Sequence, residues 1–169
     1  RVDHTSGSAF WLFLKDGEDR IGGAAAHLQD IGRESFSAYL TRIARHQYPH
    51  PTGNALDGIA QPLGAMVSGR LAYIGELSFR SDRRGRDRVL SAFMRLLQVL
   101  VLLEWRVDWT YAFVPDRHIR ASLARQYGFA RTIPYAQKWV EPAPEKRASS
   151  EWFVGSSADE LCWFFSSDL

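Results

Sequence analysis

The first run of apolar residues, AFWLFLKDG (9–17), mixes aromatic and aliphatic side chains and ends in Asp-Gly, which predicts a strand entering a turn. DRIGGAAAHLQDIG (19–32) reads as the second strand of that hairpin, and its Gly-Gly-Ala run leaves room for a bulge or a close backbone approach. In RESFSAYLTRIARHQY (33–48), Phe36, Tyr39, Leu40, Ile43 and Ala44 recur at helical spacing. From Pro49 to Gly69, three prolines and four glycines interrupt any period, so a long loop of binding or lid type is expected.

RLAYIGELSFR (70–80) is the clearest strand pattern in the chain. SDRRGRDRVLSAFMRLLQVLVLLEW (81–105) then predicts a long, mostly buried helix with Ser81 or Asp82 as its N-cap. DWTYAFV (108–114) reads as another buried strand, DRHIRASLARQY (116–127) as a helix stopped by Gly128, and FARTIPYAQKWV (129–140) as a strand interrupted by Pro134. After Val140 a Pro-rich connector, EPAPEKRASS, leads to EWFVGSSADELCWFFSSDL, a tail too aromatic to stay solvated. The reading is therefore a domain over 1–140, with the connector and tail of 141–169 docked on it or on a partner.

Bulk properties narrow the classes. The 169 residues are 46% hydrophobic, enough for one sizeable core. A net charge of +2 argues against a broad nucleic-acid-binding face. The single Cys162 excludes an intramolecular disulfide and a CxxC metal site, and fits a reducing, cytoplasmic setting. LLQVLVLLEW (96–105) is too short for a membrane span, so none is expected. The chain opens on Arg1 without a signal-peptide pattern, which reads as a trimmed start with a segment upstream. Eighteen arginines against three lysines hint at GC-rich bacterial coding.

The order β-α-β-α-β over 70–140, preceded by a hairpin and a helix, predicts a mixed sheet with helices on its faces. Ligands of such sheets sit beyond the carboxyl ends of strands. The turn 81–88 occupies that place, and its helix N-terminus offers free N–H groups to an anion. Arg83, Arg84, Arg86 and Arg88 around Gly85 add bidentate donors. The alternative is a solvated helix start with ordinary surface ion pairs.

LSFRSDRRGRDRVLSAFM (77–94) resembles the signature segment of the GNAT N-acetyltransferase superfamily, and WTYAFVPDRHIRASLARQYGFAR (109–131) resembles the strand, helix and Gly-Phe that follow it there. The resemblance spans roughly residues 9–140. It implies a single-domain α/β fold with a mixed, mostly antiparallel sheet and helices on both faces. It also implies an acyltransferase using acetyl-CoA or a longer acyl-CoA and no metal, with an amine of small-molecule or peptide type as acceptor. Donor contacts would come from the backbone at Leu77, Ser78 and Phe79 and from the turn Arg83, Arg84, Gly85, Arg86, Asp87 and Arg88. The family loop reads Arg/Gln-x-x-Gly-x-Gly/Ala. With Arg84 at its head, Asp87 and Val89 replace the small residues; with Gly85 as first glycine, Asp82 heads the loop and Asp87 still replaces the second. Like charges this close cost on the order of 1–4 kcal/mol. Some relatives, the N-acyl amino acid synthases and acyl-homoserine-lactone synthases, have more variable loops and long acyl groups often delivered on acyl carrier protein.

Acyl transfer to an amine needs a base, an oxyanion donor and an acid for the leaving thiolate. Glu76, midway along YIGELSF, is the candidate base, since an apolar surround would strengthen it; a solvent-facing or Arg-paired carboxylate is the bland alternative. The family's acid tyrosine falls on Ala124, and Tyr127, one helical step on, is the substitute, against a plain packing role. Tyr111 and His118 are weaker candidates, read as core and as an exposed helix start. His46 and His50 are rejected as metal ligands because Pro49 breaks the helix between them. Two other classes stay open: a degenerate GNAT-like binding or interaction module that no longer catalyses, favoured by Asp87, Val89 and Ala124 and able to form a homodimer through the tail, and a nucleic-acid-associated protein.

Overall fold

The computed structural model describes residues 7–51, 53–83 and 87–167. The chain runs β1 (Ala9–Asp16), β2 (Asp19–Asp30), α1 (Phe36–Gln47), β3 (Leu56–Ile59), α2 (Gln61–Met66) and β4 (Arg70–Phe79), then a 3-10 turn (Ser81–Arg83). It continues with α3 (Asp87–Trp105), β5 (Trp109–Val114), α4 (Asp116–Arg120), α5 (Leu123–Gln126), β6 (Arg131–Ile133), β7 (Gln137–Trp139), β8 (Trp152–Ser157) and α6 (Ala158–Ser167). Six strands form a sheet in the order β1-β2-β4-β5-β8-β6, and β3 pairs with β7 in a separate ribbon. The β4–β5 pair is parallel and the other recorded pairs are antiparallel.

Strand alternation sorts side chains into two cores. Ala72 and Ile74 of β4, Ala112 and Val114 of β5 and Val154 of β8 meet Phe93, Met94, Leu97 and Val101 of α3 on one face. Leu71, Tyr111 and Phe153 turn to the other face, against Phe36, Tyr39 and Leu40 of α1 and Leu63 of α2. Ser35 caps α1, its Oγ accepting from the Ala38 N–H at 3.2 Å.

Two connections differ from the sequence pattern. Residues 49–69 are not a structureless loop, because Leu56 finds a partner in Trp139 and the β3–β7 ribbon forms. Such pairing leaves no local period to read. The long helix begins at Asp87, not at the Ser81 or Asp82 cap: the 3-10 turn intervenes, and the Asp82 carboxylate accepts from Arg80 at 2.8 and 3.1 Å. The aromatic tail contributes to the sheet itself. Trp152–Ser157 is strand β8, between β5 and β6, so residues on both sides of position 140 share one sheet. No described helix is long and apolar enough to cross a membrane.

Candidate active site

The parallel strands are pinned at one end and open at the other. Asp108 accepts from the Arg70 N–H through Oδ2 at 2.7 Å, and its own N–H donates to the Arg70 carbonyl at 2.7 Å. Gly69 makes this possible: its φ is +82°, and a Cβ there would lie 2.1 Å from Asp108 Oδ2. From this clamp, pairing runs through Leu71–Trp109, Ala72–Thr110 and Tyr73–Tyr111. Beyond Tyr73 the ladder ends, while β4 continues to Phe79 and β5 to Val114.

A bulge turns β4 at this point. Gly75 pairs with Ala25 and Ser78 with Gly23, so Glu76 and Leu77 face the single residue Ala24. Glu76 takes φ +53°, a left-handed conformation uncommon for a residue with a side chain. The result is a cleft of about 160 Å³ between the strand ends, lined by Tyr73, Glu76, Leu77, Phe113, His118 and Tyr127 among others. Backbone polar groups along its edge are outside the β4–β5 ladder, a place where an extended ligand can add as a strand.

The predicted residues divide around this cleft. Glu76 lines it but is exposed, so its apolar neighbours do not enclose it as the sequence implies. Leu77 lines it and packs on the α3-side core. Ser78 and Phe79 line a different, open groove with Trp11, Phe13 and Arg20, and Phe79 stands edge-on to Phe93. Arg83 ends the 3-10 turn, Asp87 is the first residue of α3, and Arg88 is exposed in its first turn. Arg84, Gly85 and Arg86 lie outside the described residues.

Tyr127 is buried, and its hydroxyl lies 3.2 Å from His118 Nδ1. His118 is thus half-buried against Tyr127, not the exposed helix-start histidine expected. Burial, reinforced by the Arg117 charge, lowers the His118 pKa, and burial raises that of Tyr127. These shifts favour a neutral imidazole beside a protonated phenol, and the imidazole tautomer sets which of the two donates. Gln98, buried in α3, holds the tyrosine's backbone: its Nε2 donates to the Tyr127 carbonyl at 2.8 Å. Ala124, where the resemblance expects a tyrosine, is buried in the core beside α3.

Across the sheet lies a second cavity of about 90 Å³. Tyr39, Tyr73, Tyr111, Gln137, Trp139 and Arg147 contribute to its wall. Tyr73 and Phe113 line both this cavity and the cleft, so the two spaces meet back to back at those rings. Tyr111 is core, as its strand pattern implies, and also cavity wall. Arg147 and its neighbours Trp139 and Gln137 carried no signal in the sequence, since a Pro-rich connector and a three-residue strand show no functional pattern.

No protein-family model and no curated protein matches the sequence. Solved structures do match. The aminoglycoside acetyltransferase AAC(6')-Ib, in complex with coenzyme A and kanamycin, is 13% identical over 93% of this chain and 71% of its own, with a TM-score of 0.50. A spermidine N-acetyltransferase chimera of the Vibrio cholerae and human enzymes is 10% identical over 94% and 72%, with a TM-score of 0.51. A CoA-dependent acyl-homoserine lactone synthase matches more loosely, at 16% identity over 98% and 67% and a TM-score of 0.47. Element order, the parallel β4–β5 pair that opens beyond Tyr73 and Tyr111, and the likeness to the two acetyltransferases give this chain a GNAT-like fold.

Proposed function

We propose that the chain is an N-acyltransferase that moves an acyl group from acyl-CoA to an amine by direct attack in a ternary complex. The observation that carries this reading is the opening between β4 and β5, with a strand-edge cleft on one face and an aromatic cavity on the other, both lined by Tyr73 and Phe113. A pantetheine arm is long, thin and rich in amides. It can lie along the open edge of β4 and pair with its backbone near Leu77, Ser78 and Phe79. The diphosphate would then reach the turn holding Arg83, Arg84, Gly85, Arg86 and Arg88, at the N-terminus of α3.

The amine nitrogen attacks the thioester carbonyl carbon; the C–N bond forms, and the C–S bond breaks as the tetrahedral intermediate collapses. Glu76, exposed at the bulge, takes the amine proton directly or through water. The Tyr127 hydroxyl supplies its proton to the departing sulfur, and neutral His118, in the tautomer with the proton on Nδ1, donates to the phenolic oxygen and stabilises the phenolate that forms. An acyl carrier protein could present the same pantetheine thioester, and acetyl and longer acyl groups differ only in how far they extend past Tyr73.

A thermal-shift titration with CoA, acetyl-CoA and a long-chain acyl-CoA tests the reading. At 100 times its dissociation constant a ligand stabilises by about 2.7 kcal/mol, and Arg84→Ala should abolish the shift. The second reading, a fold that has lost its donor, rests on Asp87 as the first residue of α3. It predicts no shift in the wild type and a new one in Asp87→Gly.

A further inference from the structure

The cavity behind Tyr73 and Phe113 has a charge character that bears on the acceptor. Among its described lining residues there is no aspartate or glutamate, and Arg147 is the one arginine or lysine. A polyamine or an aminoglycoside carries several ammonium groups and needs carboxylates to receive them. This wall supplies none.

Arg147 is largely buried and built in. Its Nε donates to the Tyr48 hydroxyl at 3.1 Å, and Nη1 lies 3.5 Å from Glu151 Oε1. Those two contacts leave donors over on a group that has five. Glu151 lies outside the cavity wall and lines a surface groove on the other side of Arg147, which borders both spaces. Burial raises the Glu151 pKa against the opposing pull of Arg147.

Two more lining residues carry unmatched polar atoms. Trp139 and Gln137 are each 4% exposed, and neither Trp139 Nε1 nor Gln137 Oε1 has a hydrogen-bond partner. One is a donor and the other an acceptor. Buried polar atoms left open in this way cost stability, so a ligand that pairs with both recovers it.

Resting on the acyltransferase reading, we propose that this cavity receives the acceptor as a compact amine that also bears a carboxylate, an α-amino acid or close analogue. The carboxylate lies against the Arg147 guanidinium and the Trp139 N–H, and Gln137 Oε1 accepts from the ligand's nitrogen side. The aromatic rings enclose its body, and its amine is directed to the opening at Tyr73.

Isothermal titration of the wild-type chain without any donor tests this. The probes are the common α-amino acids, phenethylamine and isoamylamine as the decarboxylated forms of phenylalanine and leucine, and spermidine. At least one amino acid should bind, and its decarboxylated counterpart about tenfold or more weaker, as expected for losing a hydrogen-bonded charge. Arg147→Gln should abolish binding. Because Arg147 also braces Tyr48, Trp139→Phe is the companion variant: it deletes an N–H that has no partner and keeps an aromatic ring in the core, so the chain should still fold, at some cost in melting temperature for the lost volume, while affinity falls about tenfold. Equal or tighter binding of spermidine or of the decarboxylated amine overturns the proposal, as does unchanged affinity in Trp139→Phe. Binding of CoA with no carboxylated amine bound also overturns it, and leaves the transferase reading standing. Binding of an amino acid with no CoA bound keeps the carboxylate site and removes the transferase reading.

Discussion

The Tyr127 hydroxyl sits 3.2 Å from His118 Nδ1, joining the end of α5 to α4 across the mouth of the β4–β5 cleft. His118 stands two residues beyond Asp116, which is itself occupied: its carboxylate accepts from Arg120 Nε at 2.5 Å and from Trp152 Nε1 at 3.0 Å. The pair is therefore positioned by strand β8 as well as by its own helices. In the mechanism proposed above, this contact sets the direction of the phenolic proton. Replacing Tyr127 with Phe should lower the rate of acyl transfer at least about tenfold, short of the 10²–10⁴ range of full general-acid loss because thiolates leave readily. Steady-state kinetics with saturating donor would read this, and an unchanged rate would assign Tyr127 to packing alone.

The same contact makes a pH prediction. The folded-state pKa of His118 is lowered by burial and then by Arg117, so the unfolded chain binds the proton more tightly. Stability therefore holds above the ordinary histidine value of about 6.5 and declines as pH falls below it toward the depressed folded value. Melting temperatures measured between pH 5 and 8 should show this decline, and His118→Gln should flatten it.

Gln98 is buried in the core, donating to the Tyr127 carbonyl at 2.8 Å and lying 3.4 Å from Thr110 Oγ1 through its own oxygen. Gln98→Leu keeps the volume close and leaves that carbonyl unpaired. A loss of about 1–3 kcal/mol in chemical denaturation is expected. Activity should fall beyond the unfolded fraction, since the backbone under Tyr127 is released. A variant as stable as the wild type would show that the carbonyl finds another donor.

At the bulge, stability and function should part company. Glu76 holds φ +53°, which costs a side-chain-bearing residue on the order of 1 kcal/mol and glycine almost nothing. Glu76→Gly should therefore unfold at no lower a temperature than the wild type, yet transfer acyl groups more slowly. Glu76→Gln, with the strain retained and the base removed, should share the slow rate. Normal turnover in both variants would move the base elsewhere.

In the centre of β8, Gly155 leaves no room for a side chain. A Cβ there would lie 2.6 Å from Phe153 Cζ and 3.1 Å from the Thr110 carbonyl oxygen. The ring can swing, but the carbonyl belongs to the β5 backbone. Gly155→Ala should cost about 1–3 kcal/mol, the usual scale of overpacking. Equal stability in urea titrations would mean that β8 is held less firmly between β5 and β6 than its register implies.

Much of this architecture is legible in the chain itself. The two-residue period that sends Leu71 and Ala72 to opposite cores, and the helical spacing of Phe36, Tyr39 and Leu40, follow from local geometry alone. So does the Asp-Gly turn, where Gly17 takes φ +62°. These features need only a residue and its near neighbours, which is why strand β4 and the body of helix α3 are legible in the sequence. Tertiary structure decided the rest. The β3–β7 ribbon and the seat of β8 depend on partners far away in sequence, and a strand's own pattern says that it pairs without saying with whom. The left-handed turn at Glu76 has no local cause in a glutamate; the pairing of β2 on one side and the departure of β5 on the other impose it. Arg147 and Trp139 line one cavity with Tyr73 only because a Pro-rich connector and a short strand fold back onto the sheet. A cavity is a property of surfaces brought together, and no single stretch of the sequence contains it.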